Sequence, residues 1–164
     1  MGKWGSADFE QLKKLQKNIE KLQNVDMDKF YIDCAKELAA RLLSSVIKNT
    51  PVGEYPGITG KNGGTLQRGW TARGEKEAAA GNVPKAKDYV ASLPVVKDGN
   101  TYRVTVYNPV SYASYVEFGH RTANHKGWVD ARYMLTVSEE ILKTKIPGVL
   151  ERRLAALLKG ALDV

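Results

Sequence analysis

A chain of 164 residues with 43% hydrophobic and 26% charged residues can bury a core without metal or disulfide staples and is too apolar to be a disordered segment. Its formal charge of +7 raises nucleic-acid binding, but the excess is spread thin, +2 over residues 1–50, +2 over 51–100 and +3 over 101–164; a DNA-binding face gathers its cations on one surface. No apolar run approaches the roughly 18 residues of a membrane span, and the start, MGKWGSADFEQL, lacks the apolar segment of a signal peptide, so the expectation is a protein that is cytosolic where it is made, with no membrane partner.

From Ser6 to Asn24 the apolar residues Phe9, Leu12, Leu15, Ile19 and Leu22 recur at spacings of three and four. This predicts an amphipathic helix capped by Ser6. Its narrow stripe suits a neighbouring surface, either of its own domain or of another subunit. A second helix is expected from about Asp26 to Lys48, with Met27, Phe30, Tyr31, Cys34, Leu38, Leu42 and Val46 on one face. Asp26 and Asp28 suit its positive N-terminal end, and Thr50-Pro51 stops it. Cys34 is the single cysteine, which leaves no intrachain disulfide or cysteine-based zinc cluster and reads as a small buried hydrophobe.

The segment PVGEYPGITGKNGG holds five glycines and two prolines and forms no regular structure. It lacks the Gly-Lys-Ser/Thr ending of a phosphate loop, so it reads as a flexible loop, at about 52–64, that orders when a partner arrives. Leu66 to Ala72 suggests a short strand, and RGEKEAAAGNVPKAKD an exposed linker. Tyr89 to Tyr107 reads as two strands joined by Asp98-Gly99-Asn100, with Tyr102, Val104 and Val106 alternating against Arg103, Thr105 and Tyr107.

VSYASYVEFGH predicts one or two helical turns ending at Gly119 in a left-handed cap. Two amphipathic stretches follow, Ala131 to Lys145 and Gly148 to Leu162, separated by Pro147. The second presents Val149, Leu150, Leu154, Leu157, Leu158 and Leu162 on one side. No internal repeat is found. The order of elements describes a single α+β domain over 1–164, a small antiparallel β-sheet packed against long amphipathic N-terminal helices and a C-terminal helix.

Glu117, His120 and His125 are the residues that raise chemistry. A helical zinc site places two histidines one turn apart, whereas these are five apart and flanked by Gly119 and Gly127. Asp130 is near enough to serve as a further ligand, although the spacing does not require it. No Ser, Thr or Cys sits in a nucleophile elbow, and no catalytic residue, metal ligand or cofactor is assigned. Three readings stay open: an assembly surface, a nucleic-acid-binding module, and a metal-dependent hydrolase using Glu117, His120 and His125. Tyr112, Tyr115, Phe118, Trp128 and Tyr133 favour a surface for a partner, or a helix seated on its own core.

YASYVEFGHRT, followed by an aromatic residue and ARYML leading into a C-terminal helix, resembles the small head-tail joining proteins of tailed bacteriophages and prophages, variously called neck, tail-completion or minor tail proteins. Upstream, Thr50-Pro51-Val52 after a long amphipathic helix, then Gly64, Leu66, Arg68 and Trp70, are similar to that family's pattern; Glu54 to Gly63 is an insertion into it. The resemblance runs from the second helix to the C terminus. It implies a non-enzymatic virion component without a cofactor, made in the host cytoplasm. Its copies would form a homo-oligomeric ring, hexamer or dodecamer, between head-closure or adaptor proteins and tail tube or tail terminator proteins. Genomic DNA would pass through that ring without sequence-specific binding. The expected subunit and partner interface comprises Tyr112, Tyr115, Glu117, Phe118, His120, Arg121, Arg68 and Trp70, with Glu117 pairing to Arg121 or Arg68.

Overall fold

The computed structural model describes residues 9–54 and 63–162. Helix α1 spans Phe9–Gln23; the expected Ser6 cap and the middle of the glycine-rich loop lie outside the described residues. Helix α2 spans Met27–Asn49. Its N-cap is Asp26, whose Oδ1 accepts the Lys29 N–H at 2.9 Å. Thr50 ends it in an extended conformation, as the residue before a proline must.

The buried side of α2 differs from the expected stripe. Cys34, Leu43 and Val46 are buried, with Ala39, Ala40 and Ile47 packed at the edge of the core, while Met27 and Tyr31 stay exposed. The helix packs chiefly on α7 and also touches α5 and α3, so its buried side is set by several neighbours.

Residues read as strand and linker are helical. Helix α3 spans Thr65–Gly69; Leu66, Gly69 and Trp70 are buried at the three-four spacing of one helical face. Gly64 starts it at φ 89°, a conformation that glycine adopts without strain. Helix α4, Glu75–Ala80, forms in the alanine-rich stretch, where propensity is high, and buries Ala78 completely. Helix α5, Ala86–Ser92, buries Tyr89 and Val90.

The two strands expected over Tyr89–Tyr107 are shorter than that: Tyr89 to Ser92 belong to α5, and the hairpin is β1 at Val96–Asp98 and β2 at Thr101–Arg103, paired antiparallel from Val96↔Arg103 to Asp98↔Thr101. The expected alternation holds: Tyr102, Val104 and Val106 are half-buried, while Arg103, Thr105 and Tyr107 are exposed. Asp28 at the start of α2 ties the hairpin down, accepting Lys97 Nζ at 2.6 Å and the Tyr102 hydroxyl. Those bonds hold the Asp28 carboxyl below its ordinary range.

Helix α6 at Ala113–Phe118 leads into β3, His120–Arg121, which pairs antiparallel with β4, Trp128–Val129. Helix α7 then runs unbroken over Met134–Leu162, where two stretches separated by Pro147 were expected. Pro147 has no N–H for the Lys143 carbonyl, and its exposed position leaves that carbonyl to water, so one ladder bond is lost and the helix continues.

The architecture is α+β: a dominant pair of long helices, α2 and α7, with the β1–β2 hairpin against α2 and a second small antiparallel ribbon, β3–β4, after α6. The core gathers Leu43, Val46, Leu66, Trp70, Val90 and Met134 among others. Trp70 sits at its centre, only 3% exposed. Its indole Nε1 donates to Thr50 Oγ1 at 2.8 Å, and that hydroxyl donates to the Val46 carbonyl at 2.6 Å. The end of α2 and the end of α3 are thereby locked together, and every polar atom of the group is satisfied.

Candidate functional site

Helix α6 divides the expected site residues between inside and outside. Its buried member is Glu117, 5% exposed. The carboxylate pairs with neither Arg68 nor Arg121. Oε2 accepts the Leu135 N–H at 2.9 Å, and Oε1 accepts the Thr136 N–H at 3.0 Å and the Thr136 hydroxyl at 2.7 Å. These are the second and third N–H groups of α7, orphaned at any helix start. No acidic residue lies in the first turn of α7, and the residue before it is Tyr133, at φ 48°. Glu117 therefore supplies from another helix both the capping acceptor and the negative charge that an N-terminus favours. Backbone bonds from Arg132 N to the Val116 carbonyl, 2.9 Å, and from Tyr133 N to the Glu117 carbonyl, 3.1 Å, complete the junction.

Arg68 is likewise spent inside the chain. Its guanidinium donates to the Ala78 carbonyl at 2.8 Å and to the Gly63 carbonyl at 3.1 Å, tying α3 to α4 and to the foot of the glycine-rich loop. Arg68, Trp70 and Glu117 thus have their polar groups bonded within the chain.

Those outward residues are aromatic. Tyr112 at the N-cap of α6 and Tyr115 and Phe118 within it are 39%, 58% and 64% exposed, and Trp128 beside them is 59% exposed. The His120 ring lies 5.6 Å from that of Tyr115, with Nδ1 at 3.4 Å from the Tyr115 carbonyl. Arg121 is exposed and pairs in register with Trp128. Gly119 ends α6 as expected, but at φ 77° and ψ 168°, an extended conformation of positive φ and not the left-handed cap, which turns the chain into β3; a Cβ there would lie 2.6 Å from the Val129 carbonyl oxygen.

Tyr112, Tyr115, Val116 and His120 face Pro51–Gly53 and Gly63–Gly64 across a groove of about 360 Å³. The structure thus brings together the α6 segment and the described residues on either side of the glycine-rich segment. His125 belongs elsewhere, to an exposed turn at φ 57°, organised by Thr122 Oγ1, which donates to Asn124 Oδ1 at 2.7 Å and accepts the Gly127 N–H at 3.0 Å. Among the described residues no three His, Cys, Asp or Glu side chains gather as a metal-binding group.

A larger groove, about 920 Å³, lies between α2, α5 and α7 and includes none of the residues singled out from the sequence. Lys48, Lys87 and Lys145 reach it from three distant parts of the chain. Arg41 and Arg153 also line it, both bound to Glu37, Arg41 at 2.6 Å. The two guanidinium groups hold the Glu37 carboxyl below its ordinary range. No helix among the described residues is long and apolar enough to cross a membrane.

The fold and site define a small α+β protein whose aromatic face is held out on a satisfied polar frame. Residues 13–119 match the HK97-gp10-like family, described as bacteriophage HK97-gp10, a proposed tail component. The match covers more than half of the chain, and the chain belongs to that family of phage tail components. No curated protein and no solved structure matches it.

Proposed function

We propose that the protein is a structural component of a tailed phage or prophage virion, a single domain whose copies form a ring at the head-tail junction and join the tail to the DNA-filled head. Its neighbours there are head-closure or adaptor proteins on one side and tail tube or tail terminator proteins on the other, and the ring is a hexamer or dodecamer. The observation that carries this reading is the aromatic face of α6 and β4, exposed on a backbone that Glu117 ties to α7 and Gly119 turns. Exposed aromatics on a fixed scaffold lose little entropy on docking and anchor protein interfaces. The function needs no chemistry, and in the group of Glu117, His120 and His125 the Glu117 carboxylate is turned to the start of α7. Family membership supports the virion setting.

Light-scattering mass after size exclusion, on the protein alone and after mixing with purified tails or portal-containing heads, tests the proposal. A ring, or capture by one of those particles, is expected. A monomer that binds neither would overturn it.

A second reading, contact with nucleic acid, is supported by the groove at Lys48, Lys87 and Lys145, none of which has an ion-pair partner among the described residues. Duplex affinity that falls steeply with salt and weakens on Lys87→Ala would favour it.

A further inference from the structure

Two apolar stripes remain uncovered at the end of the molecule where α1 meets α7. On α1, Leu12, Leu15, Ile19 and Leu22 follow the three-four spacing of a and d positions in two successive heptads. Leu12, Leu15 and Ile19 are 59%, 55% and 47% exposed. The end of α1 and the turn after it do meet α7 of the same chain, where Lys21, Asn24 and Val25 face Ala156, Leu157, Gly160 and Ala161 across a cleft and Leu22 is half-buried, but Leu12, Leu15 and Ile19 stay in water. On α7, Leu150, Leu154 and Leu158 stand at successive four-residue steps and are 37%, 46% and 37% exposed.

The stripes match in length. Leu12 to Ile19 and Leu150 to Leu158 each span about 10–12 Å of helix. The charges of α1 lie off its seam: with Leu12 at a, Lys13 and Glu20 fall at b, Lys14 and Lys21 at c, Glu10 and Lys17 at f. The flanking positions carry the amides Gln16, Asn18 and Gln23. Flanks of this kind set no charge of α1 against the charges near the α7 leucines, Glu151, Arg152 and Lys159, while Arg153 is bound to Glu37 of its own chain, so like-charge repulsion is kept off the seam.

We propose that α1 of one copy docks on the Leu150, Leu154 and Leu158 face of α7 in the next copy. One contact then covers both stripes, and each chain gives one helix and receives another. Such a contact is heterologous and propagates around a ring, whereas α1 on α1 would close at two copies and leave the α7 leucines in water. The inference rests on the ring reading and names its subunit contact.

Leu15→Glu and Leu154→Glu test it, each at an exposed position where the chain should still fold, checked by its urea midpoint. Leu12→Glu and Leu150→Glu repeat the design independently. By light scattering the wild type is expected as an assembly and each variant as a monomer. Mixing Leu15→Glu with Leu154→Glu is expected to give a dimer of twice the 18.1 kDa chain mass, because one variant keeps α1 and the other keeps the α7 face. Assembly by Leu154→Glu alone, or a mixture that stays monomeric, would overturn the contact. Variants that both keep the wild-type mass would overturn it while leaving the ring reading intact. A wild type that is monomeric at every concentration would overturn it too, and capture by heads or tails would then decide the ring reading separately.

Discussion

Glu117 and Phe118 are neighbours in one short helix, yet one is 5% exposed and the other 64%. The same division runs through the whole candidate site. Thr50, Arg68, Trp70 and Glu117 form an inner region in which every named donor meets an acceptor. Tyr115, Phe118 and Trp128 form an outer region of large apolar surface left to solvent. The difference teaches that a family's recognisable motif can mix two kinds of residue: those that make the surface stiff and those that offer it.

Substitutions on the two sides should therefore part company. Trp70→Ala removes the largest core side chain and its bond to Thr50, and should cost about 3–5 kcal/mol in urea unfolding; a loss below about 1 kcal/mol would contradict the central place given to this indole. Glu117→Ala strips the cap from α7 and leaves two part-buried N–H groups without their acceptor, with an expected loss of about 1–2 kcal/mol. Thermal melts that left the variant unchanged would mean that water serves the α7 terminus as well.

Glu37→Gln should cost about 1 kcal/mol at neutral pH, through its bonds to Arg41 and Arg153. The sign of the pH effect follows from the lowered Glu37 pKa: the stabilisation is present above the unfolded value, 4.5, and is lost as pH falls through the lower folded value. Urea midpoints of wild type and variant should converge in acid; a constant gap from pH 7 down into acid would assign the effect to packing.

Phe118→Ala and Tyr115→Ala should move stability by no more than about 0.5 kcal/mol while weakening capture by heads or tails. Equal losses of stability from Phe118→Ala and Trp70→Ala would erase the distinction between the two regions.

Much of the frame was legible because its signals are local. The Asp26 cap, the Thr50-Pro51 stop, the hairpin around Gly99 and the turn at Gly119 each depend on a few adjacent residues. What escaped a linear reading is non-local. Seven residues of LQRGWTA are too few to separate helical from strand periodicity. An alanine-rich, charged stretch looks like a linker until Ala78 is seen packed in the core. The role of Glu117 depends on donors 18 and 19 residues away, and its only sequence trace is that α7 begins without Ser, Thr, Asp or Asn at the cap position. The basic groove was missed for the same reason: Lys48, Lys87 and Lys145 are dilute in sequence and adjacent only in the fold.

The unbroken run of α7 makes it a ruler. Its first turn is fixed to the aromatic face through Glu117, and its exposed leucines begin at Leu150, sixteen residues further along and about 24 Å away at a rise of about 1.5 Å per residue. One rigid helix thus sets both the distance and the phase between two surfaces that share no residue. Inserting a single residue between Val137 and Lys145 would turn one surface by about 100° relative to the other, with the chemistry of both left intact.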